Sequence, residues 1–423
     1  MNRFKKFSIY YLSFLLLFGF IIILFNWLVN PYDIYKSIPI QKLSKKPQVT
    51  SHLRLTKAIA TEWKKPEYLI MGSSTAETGL NPDFSAWDNS HVYNLGLSGA
   101  NIYEVMRYLQ HAEAIKPVKK VILVVNFFMF NAYVDNRDDF NESLLHVDFN
   151  GNKNPHTVNT IFSTLLSFDA LKASWETIKN QHKGNAFLSN GQLVHDYREE
   201  QIQQLKGYKN NFLYTESYSK ASLLPSPHNQ FSFTNPAKGI DTIAYLQKII
   251  TICENNHTEL ILILAPEHVR LLETYKLLDL WDTYEQWQKE LMKIIAAHNQ
   301  KYPNLKFALW GFNNINSITT EQLPDKDDVI TKMHWFWDPQ HFKNELGNLI
   351  LSMVLRLKDE SGISNFSILL TENNINRKLE YDRIALTRWE NKNENEIIEL
   401  KHSLFVYGVA PPKPGHLVDN LKN

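Results

Sequence analysis

Apolar residues follow three rhythms along this chain. The first is unbroken: residues 7–29 carry no charged side chain. As a helix rising about 1.5 Å per residue, such a run is long enough to cross a hydrocarbon core of about 30 Å. Arg3, Lys5 and Lys6 precede it, and Asn30-Pro31-Tyr32-Asp33 follows it in place of the small-residue site at which a signal peptide is cut. The pattern predicts an uncleaved single-pass anchor over 7–29. Its basic tail, residues 1–6, stays in the cytoplasm, and the remaining chain lies across the membrane, in a bacterium in the periplasm or at the outer surface.

The second rhythm is a series of short apolar runs separated by segments of helical spacing. Tyr68-Leu69-Ile70-Met71 ends in Gly72-Ser73-Ser74, and His91-Val92-Tyr93-Asn94-Leu95 ends at Gly96. Val121-Ile122-Leu123-Val124-Val125, Leu260-Ile261-Leu262-Ile263-Leu264 and Leu305-Lys306-Phe307-Ala308-Leu309-Trp310 follow. Ile102, Val105, Met106 and Leu109 fall on one helical face, and residues 240–253 and 344–357 are also helical in pattern. Continuous apolar strands alternating with helices predict an α/β fold, a three-layer arrangement with a parallel sheet between helices.

The third rhythm is polar. Residues 30–62 are expected to be a juxtamembrane linker leading into a short helix. Residues 135–234, rich in Asn, Asp, Gln, Ser and Lys, interrupt the strand–helix alternation and are expected to form an insertion. Residues 359–423 form a polar tail with one more helical pattern over 375–389. The α/β domain is thereby assigned to 63–134 and 235–358.

Composition narrows the function classes. With 423 residues, 44% of them hydrophobic, the chain can bury a sizeable core. Its 45 basic and 44 acidic residues give a net charge of +1 without long runs, a balance that points away from nucleic acid. Cys253 is the single cysteine, so no internal disulfide forms, and the histidines show no structural-zinc spacing. Neither a metal nor a cofactor is expected, and the sequence names no protein partner.

In open parallel sheets the residues just beyond each strand's carboxyl end meet the ligand. Gly72-Ser73-Ser74 places a serine there after a turn that glycine permits, although Gly-Ser-Ser also occurs in ordinary turns. Asn94-Leu95-Gly96-Leu97-Ser98-Gly99-Ala100 offers a glycine N–H to an anion and is equally a helix-start turn. Asn126 follows the third run and can donate from its amide or cap a turn. In Asp338-Pro339-Gln340-His341 the three-residue spacing lets the carboxylate hold the imidazole in one tautomer, the state a serine base requires, while Asp-Pro is also a common helix start. His268 follows a strand end too, and His334-Trp335-Phe336-Trp337 could wall a cleft but more often such residues are core.

In this chain order the motifs resemble those of the SGNH/GDSL hydrolase superfamily. Gly72-Ser73-Ser74 stands where that family has Gly-Asp-Ser, Asn94 to Gly99 corresponds to its second block, and Asp338 to His341, followed by Phe342 and Gly347, to its last. Val124-Val125-Asn126-Phe127 departs from the Gly-x-Asn-Asp of the third block. The resemblance covers 65–134 and 240–358 and is nearest to the membrane-anchored, extracytoplasmic branch that includes relatives of alginate O-acetylation proteins. It implies a triad of Ser74, His341 and Asp338, with Ser73 as rival nucleophile, and an oxyanion hole from the N–H groups of Ser74 and Gly99 and the amide of Asn126. The implied activity is acyl-ester hydrolysis or transfer on a small-molecule or carbohydrate ester of the cell envelope. A non-catalytic envelope scaffold or polysaccharide-binding protein retaining the fold is the alternative.

Overall fold

In the computed structural model, which describes residues 3–38, 40–87, 91–154 and 162–406, the chain divides into two compact units: 1–64 with 139–188, and 65–138 with 189–423. The stretch expected as one insertion, 135–234, is shared between them.

The first unit contains α1 (Arg3–Val29), long and apolar enough to span a membrane, and α2 (Leu53–Lys64). Asn30 closes α1 in the left-handed region (φ 49). Its side chain accepts from the N–H groups of Ile34 (2.9 Å) and Tyr35 (3.2 Å) and donates to the Tyr35 carbonyl (2.8 Å). The segment after α1 is therefore packed, with Tyr32 and Ile34 buried.

The second unit is built on a six-stranded sheet. In chain order it begins with β1 (Tyr68–Gly72), α3 (Ser74–Gly79), β2 (Val92–Asn94), α4 (Ile102–Ile115) and β3 (Lys120–Val125). In the first unit α5 (Phe168–Lys179) intervenes. The second resumes with α6 (His195–Gln204), α7 (Tyr208–Leu223), the small antiparallel pair β4 (Thr234–Asn235) and β5 (Ile240–Asp241), α8 (Thr242–Asn256) and β6 (Glu259–Leu264). It finishes with α9 (Val269–Leu277), α10 (Trp281–Lys301), β7 (Ala308–Gly311), α11 (Asn344–Arg356), β8 (Ile368–Leu369), α12 (Ile375–Glu390) and α13 (Glu394–Phe405).

Strand order is β2-β1-β3-β6-β7-β8, parallel through β7. The edge strand β8 is antiparallel, pairing Gly311 with Ile368, so the sheet is mostly rather than wholly parallel. The apolar runs become the central strands because both sheet faces are covered: Ile70, Ile122, Val124, Ile261 and Ile263 pack with Phe336, Phe342 and Ile350 on one face, and Leu69, Leu123 and Leu262 are buried on the other. The chain leaves β1 toward β2 on one side and returns as β3 on the other. The resulting switch point lies between the carboxyl ends of β1 and β3, where α/β sheets open a crevice.

Candidate active site

The end of β1 is shaped by Gly72, whose φ of +141° and close approach to the Val124 carbonyl exclude a side chain. The chain then turns directly into α3, with Ser73 as its extended N-cap and Ser74 as its first residue. Ser74 N–H is thus one of the first-turn donors without an intrahelical acceptor. The two serines point differently. Ser73 is fully buried and donates to Asn126 Oδ1 (3.0 Å), whereas Ser74, 8% exposed, has its Oγ 2.7 Å from His341 Nε2.

His341 and Asp338 sit on a tight loop before α11. The loop is closed by Trp337 N–H donating to the His341 carbonyl (2.8 Å) and Lys343 N–H donating to the Trp335 carbonyl (2.8 Å). Asp338 Oδ1 accepts from the N–H groups of Gln340 (2.9 Å) and His341 (3.0 Å), and both its oxygens lie 2.8 Å from His341 Nδ1. That contact fixes the proton on Nδ1 and leaves Nε2 free to accept from Ser74. The structure therefore brings together three side chains separated by 267 positions at the widest.

What holds α3 against this loop is a contact of two glycines. A Cβ on Gly79 would overlap the Phe342 ring, and one on Gly347 would overlap the Gly79 carbonyl oxygen. On the β2 side, Asn94 donates to the carbonyls of Ala76 (2.9 Å) and Leu80 (3.1 Å), fastening the second motif to the same helix.

Gly99 is left-handed (φ +65°), and its carbonyl accepts from Arg137 Nε (2.9 Å). Asn126 follows β3, as expected, but its amide Nδ2 donates to Glu267 Oε1 (3.2 Å). A buried line thus runs from Ser73 through Asn126 to Glu267 and on to Tyr275, whose hydroxyl donates to Glu267 Oε2 (3.1 Å). Burial raises the Glu267 pKa to about 7 against the lowering effect of these hydrogen bonds. His268 does not join the triad. Its Nε2 donates to the Glu321 carbonyl (2.7 Å), its Nδ1 accepts from Arg270 N–H, and burial drops its pKa to about 3, so it is a neutral helix cap. Phe336 and Trp337 belong to the core.

Two contributors carry no strand-end signature. Arg198 of α6 reaches in so that its Nη1 lies 3.7 Å from Asp338 Oδ2, and Asn211 of α7 donates to the Trp337 carbonyl (2.8 Å). Burial works against a charged Asp338, but the adjacent imidazole, its hydrogen bonds and the Arg198 guanidinium outweigh it and hold the carboxyl below its ordinary pKa. For His341, burial and then Arg198 disfavour the imidazolium more than Asp338 favours it, so the ring is a neutral base further into acid than usual. Among the described residues, no group of three or more His, Cys, Asp or Glu side chains is arranged to hold a metal.

A pH dependence follows. A lowered His341 pKa keeps the base form present below histidine's ordinary value, so the acidic limb of Ser74's reactivity toward an acylating probe is expected there. Arg198→Gln removes one cause of the lowering, and the limb should move to higher pH while the alkaline plateau is retained. A limb unmoved by this substitution would show that Arg198 does not act on the imidazole.

No family model and no curated protein matches this chain.

Proposed function

We propose that the second unit performs serine-dependent acyl-ester chemistry outside the cytoplasm, moving a small acyl group such as acetyl onto or off an envelope carbohydrate. The observation that carries this reading is the hydrogen-bonded line Ser74 Oγ, His341 Nε2, His341 Nδ1, Asp338, with 2.7 and 2.8 Å steps. Ser74 Oγ attacks the ester carbonyl as His341 takes its proton, and Asp338 stabilises the imidazolium. The imidazolium then returns that proton to the departing alkoxide, leaving an acyl-serine that water or a sugar hydroxyl resolves.

The tetrahedral oxyanion meets the N–H of Ser74, with Gly99 N–H and the Asn126 amide as further donors. A primary amide carries two hydrogens, and Glu267 engages one of those on Asn126. Losing one oxyanion donor typically costs about 3–4 kcal/mol of transition-state stabilisation. The Asn126–Glu267 contact is also what favours the second reading, a non-catalytic envelope scaffold retaining the fold.

A membrane-impermeant fluorophosphonate tests both chemistry and side. Applied to cells with a permeabilised outer layer, it is expected to modify Ser74, identified by peptide mass spectrometry. Modification only after complete lysis would overturn the orientation. No modification in either sample would leave the scaffold reading.

A further inference from the structure

Helix α5 divides its surface three ways. Ala170, Ala173, Ser174 and Thr177 are buried, a face of small side chains. Asp169, Lys172, Glu176 and Lys179 form a charged stripe. Between them Phe168, Leu171, Trp175 and Ile178, at spacings of three and four, share a third face. That face is open although it is apolar: Phe168 is 76% and Trp175 56% exposed, and just before the helix Phe162 and Leu166 are exposed as well.

The small face packs on α1. Ser174 Oγ donates to Asn26 Oδ1 (2.8 Å), and Asn26 Nδ2 donates to the Leu165 carbonyl (2.8 Å), so the polar residue in the last turns of the apolar helix is satisfied by this partner. Leu166 reaches further along α1, where a Cβ added at Gly19 would meet its Cδ1 at 3.6 Å. Ile22, Asn26 and Val29 are accordingly buried, whereas the residues from Phe4 to Ile21 present their apolar side chains outward. From Phe7, the first residue past the charged tail, to Ile21 that outward stretch is about 22 Å long at ~1.5 Å per residue, ~8 Å short of the ~30 Å of a hydrocarbon core. On the reading of α1 as a span that begins at Phe7, the level at which it gains protein contacts falls in the last part of the hydrocarbon, the depth to which an interfacial helix buries its apolar face.

We infer that α5 and the residues before it form an interfacial element, with the Phe168, Leu171, Trp175 and Ile178 face resting in the headgroup–acyl boundary of the same bilayer that α1 crosses. The occupant is lipid because α5 packs directly on α1, whose outward surface is apolar, and the exposed Leu166 lies beside Gly19 of that helix. Lys172 and Lys179 lie on the adjoining stripe, where cationic side chains meet anionic headgroups. The inference rests on the reading of α1 as a membrane span and is independent of the proposed ester chemistry.

The test uses the full chain with Cys253, which is buried, changed to alanine. Nitroxides are placed singly by Phe168→Cys, Trp175→Cys and Leu166→Cys, with Lys172→Cys and Phe14→Cys for comparison, in nanodiscs of phosphatidylethanolamine and phosphatidylglycerol. Collisional accessibility to oxygen should exceed that to a water-soluble nickel chelate at 166, 168 and 175, and the order should reverse at 172. Nickel accessibility at 168 and 175 equal to that at 172 would overturn the inference. So would low accessibility to both reagents, the signature of a protein contact. Position 14 reads the span itself: water-like accessibility there would remove the premise, whereas lipid at 14 with water at 168 would refute the interfacial element alone. Helix content by circular dichroism identifies any variant that fails to fold, and Leu166→Cys supplies a site outside α5.

Discussion

Ser74→Ala is expected to lower turnover of an activated acetyl ester by roughly 10⁴- to 10⁶-fold with little change in melting temperature. Its Oγ makes one side-chain contact, to His341 Nε2, and a single such bond contributes only about 1 kcal/mol to stability. Ser73→Ala should behave in the opposite way. Ser73 caps α3 and donates to Asn126, so its loss should cost on the order of 1 kcal/mol while leaving the labelled residue unchanged. Turnover that survives Ser74→Ala would sink both hydrolysis and transfer. With the native serine, an added envelope carbohydrate decides between them. On the proposed reading of α1 as an anchor, the site would be confined to the layer where membrane-linked glycans pass, and the acyl-serine should then partition to the sugar in preference to water. Rapid release as free acid, with no sugar product, would make hydrolysis the better reading.

The parts of this site legible in the sequence are those set by local constraints. Gly72 followed by two serines, and Asp338 three residues before His341, are short-range patterns whose geometry depends on a strand end and a tight loop. Arg198 was not legible. It lies in a helix of sequence HDYREEQIQQ, whose one aliphatic residue, Ile202, gives no helical stripe, and reaches Asp338 only because α6 and α7 pack on the loop. Glu267 is not legible either, since a sequence shows it beside His268 without showing which of the two is turned toward Asn126. The division of residues 135–234 between two units leaves no mark in the sequence, because composition is polar on both sides of residue 188 and only tertiary partners distinguish the halves. Strand β8 has two residues, too few for alternation to register.

The Gly79–Gly347 contact predicts the largest effect from a residue that touches no substrate. Gly347→Ala adds one methyl group against the Gly79 carbonyl oxygen. The obstacle is backbone, so the strain cannot be relieved by a rotamer change, and α3 and α11 must separate. Overpacking of this kind costs typically 1–3 kcal/mol, and here the upper part of that range is expected as a loss in unfolding free energy. The two helices carry Ser74 at one N-terminus and follow His341 at the other, so their separation lengthens the 2.7 Å contact between them. A displacement of about 1 Å in a reacting group is enough to cost around 10²-fold in rate, so turnover should fall by that order even where the protein remains folded. Gly184→Ala supplies the control, since a Cβ there meets nothing within 4 Å, and it should leave stability within about 0.5 kcal/mol and turnover unchanged. Denaturant unfolding and ester turnover measured on both variants check the account. Gly347→Ala with native stability and native turnover would mean that the helices have room to spare and that something other than this contact sets the distance between serine and imidazole.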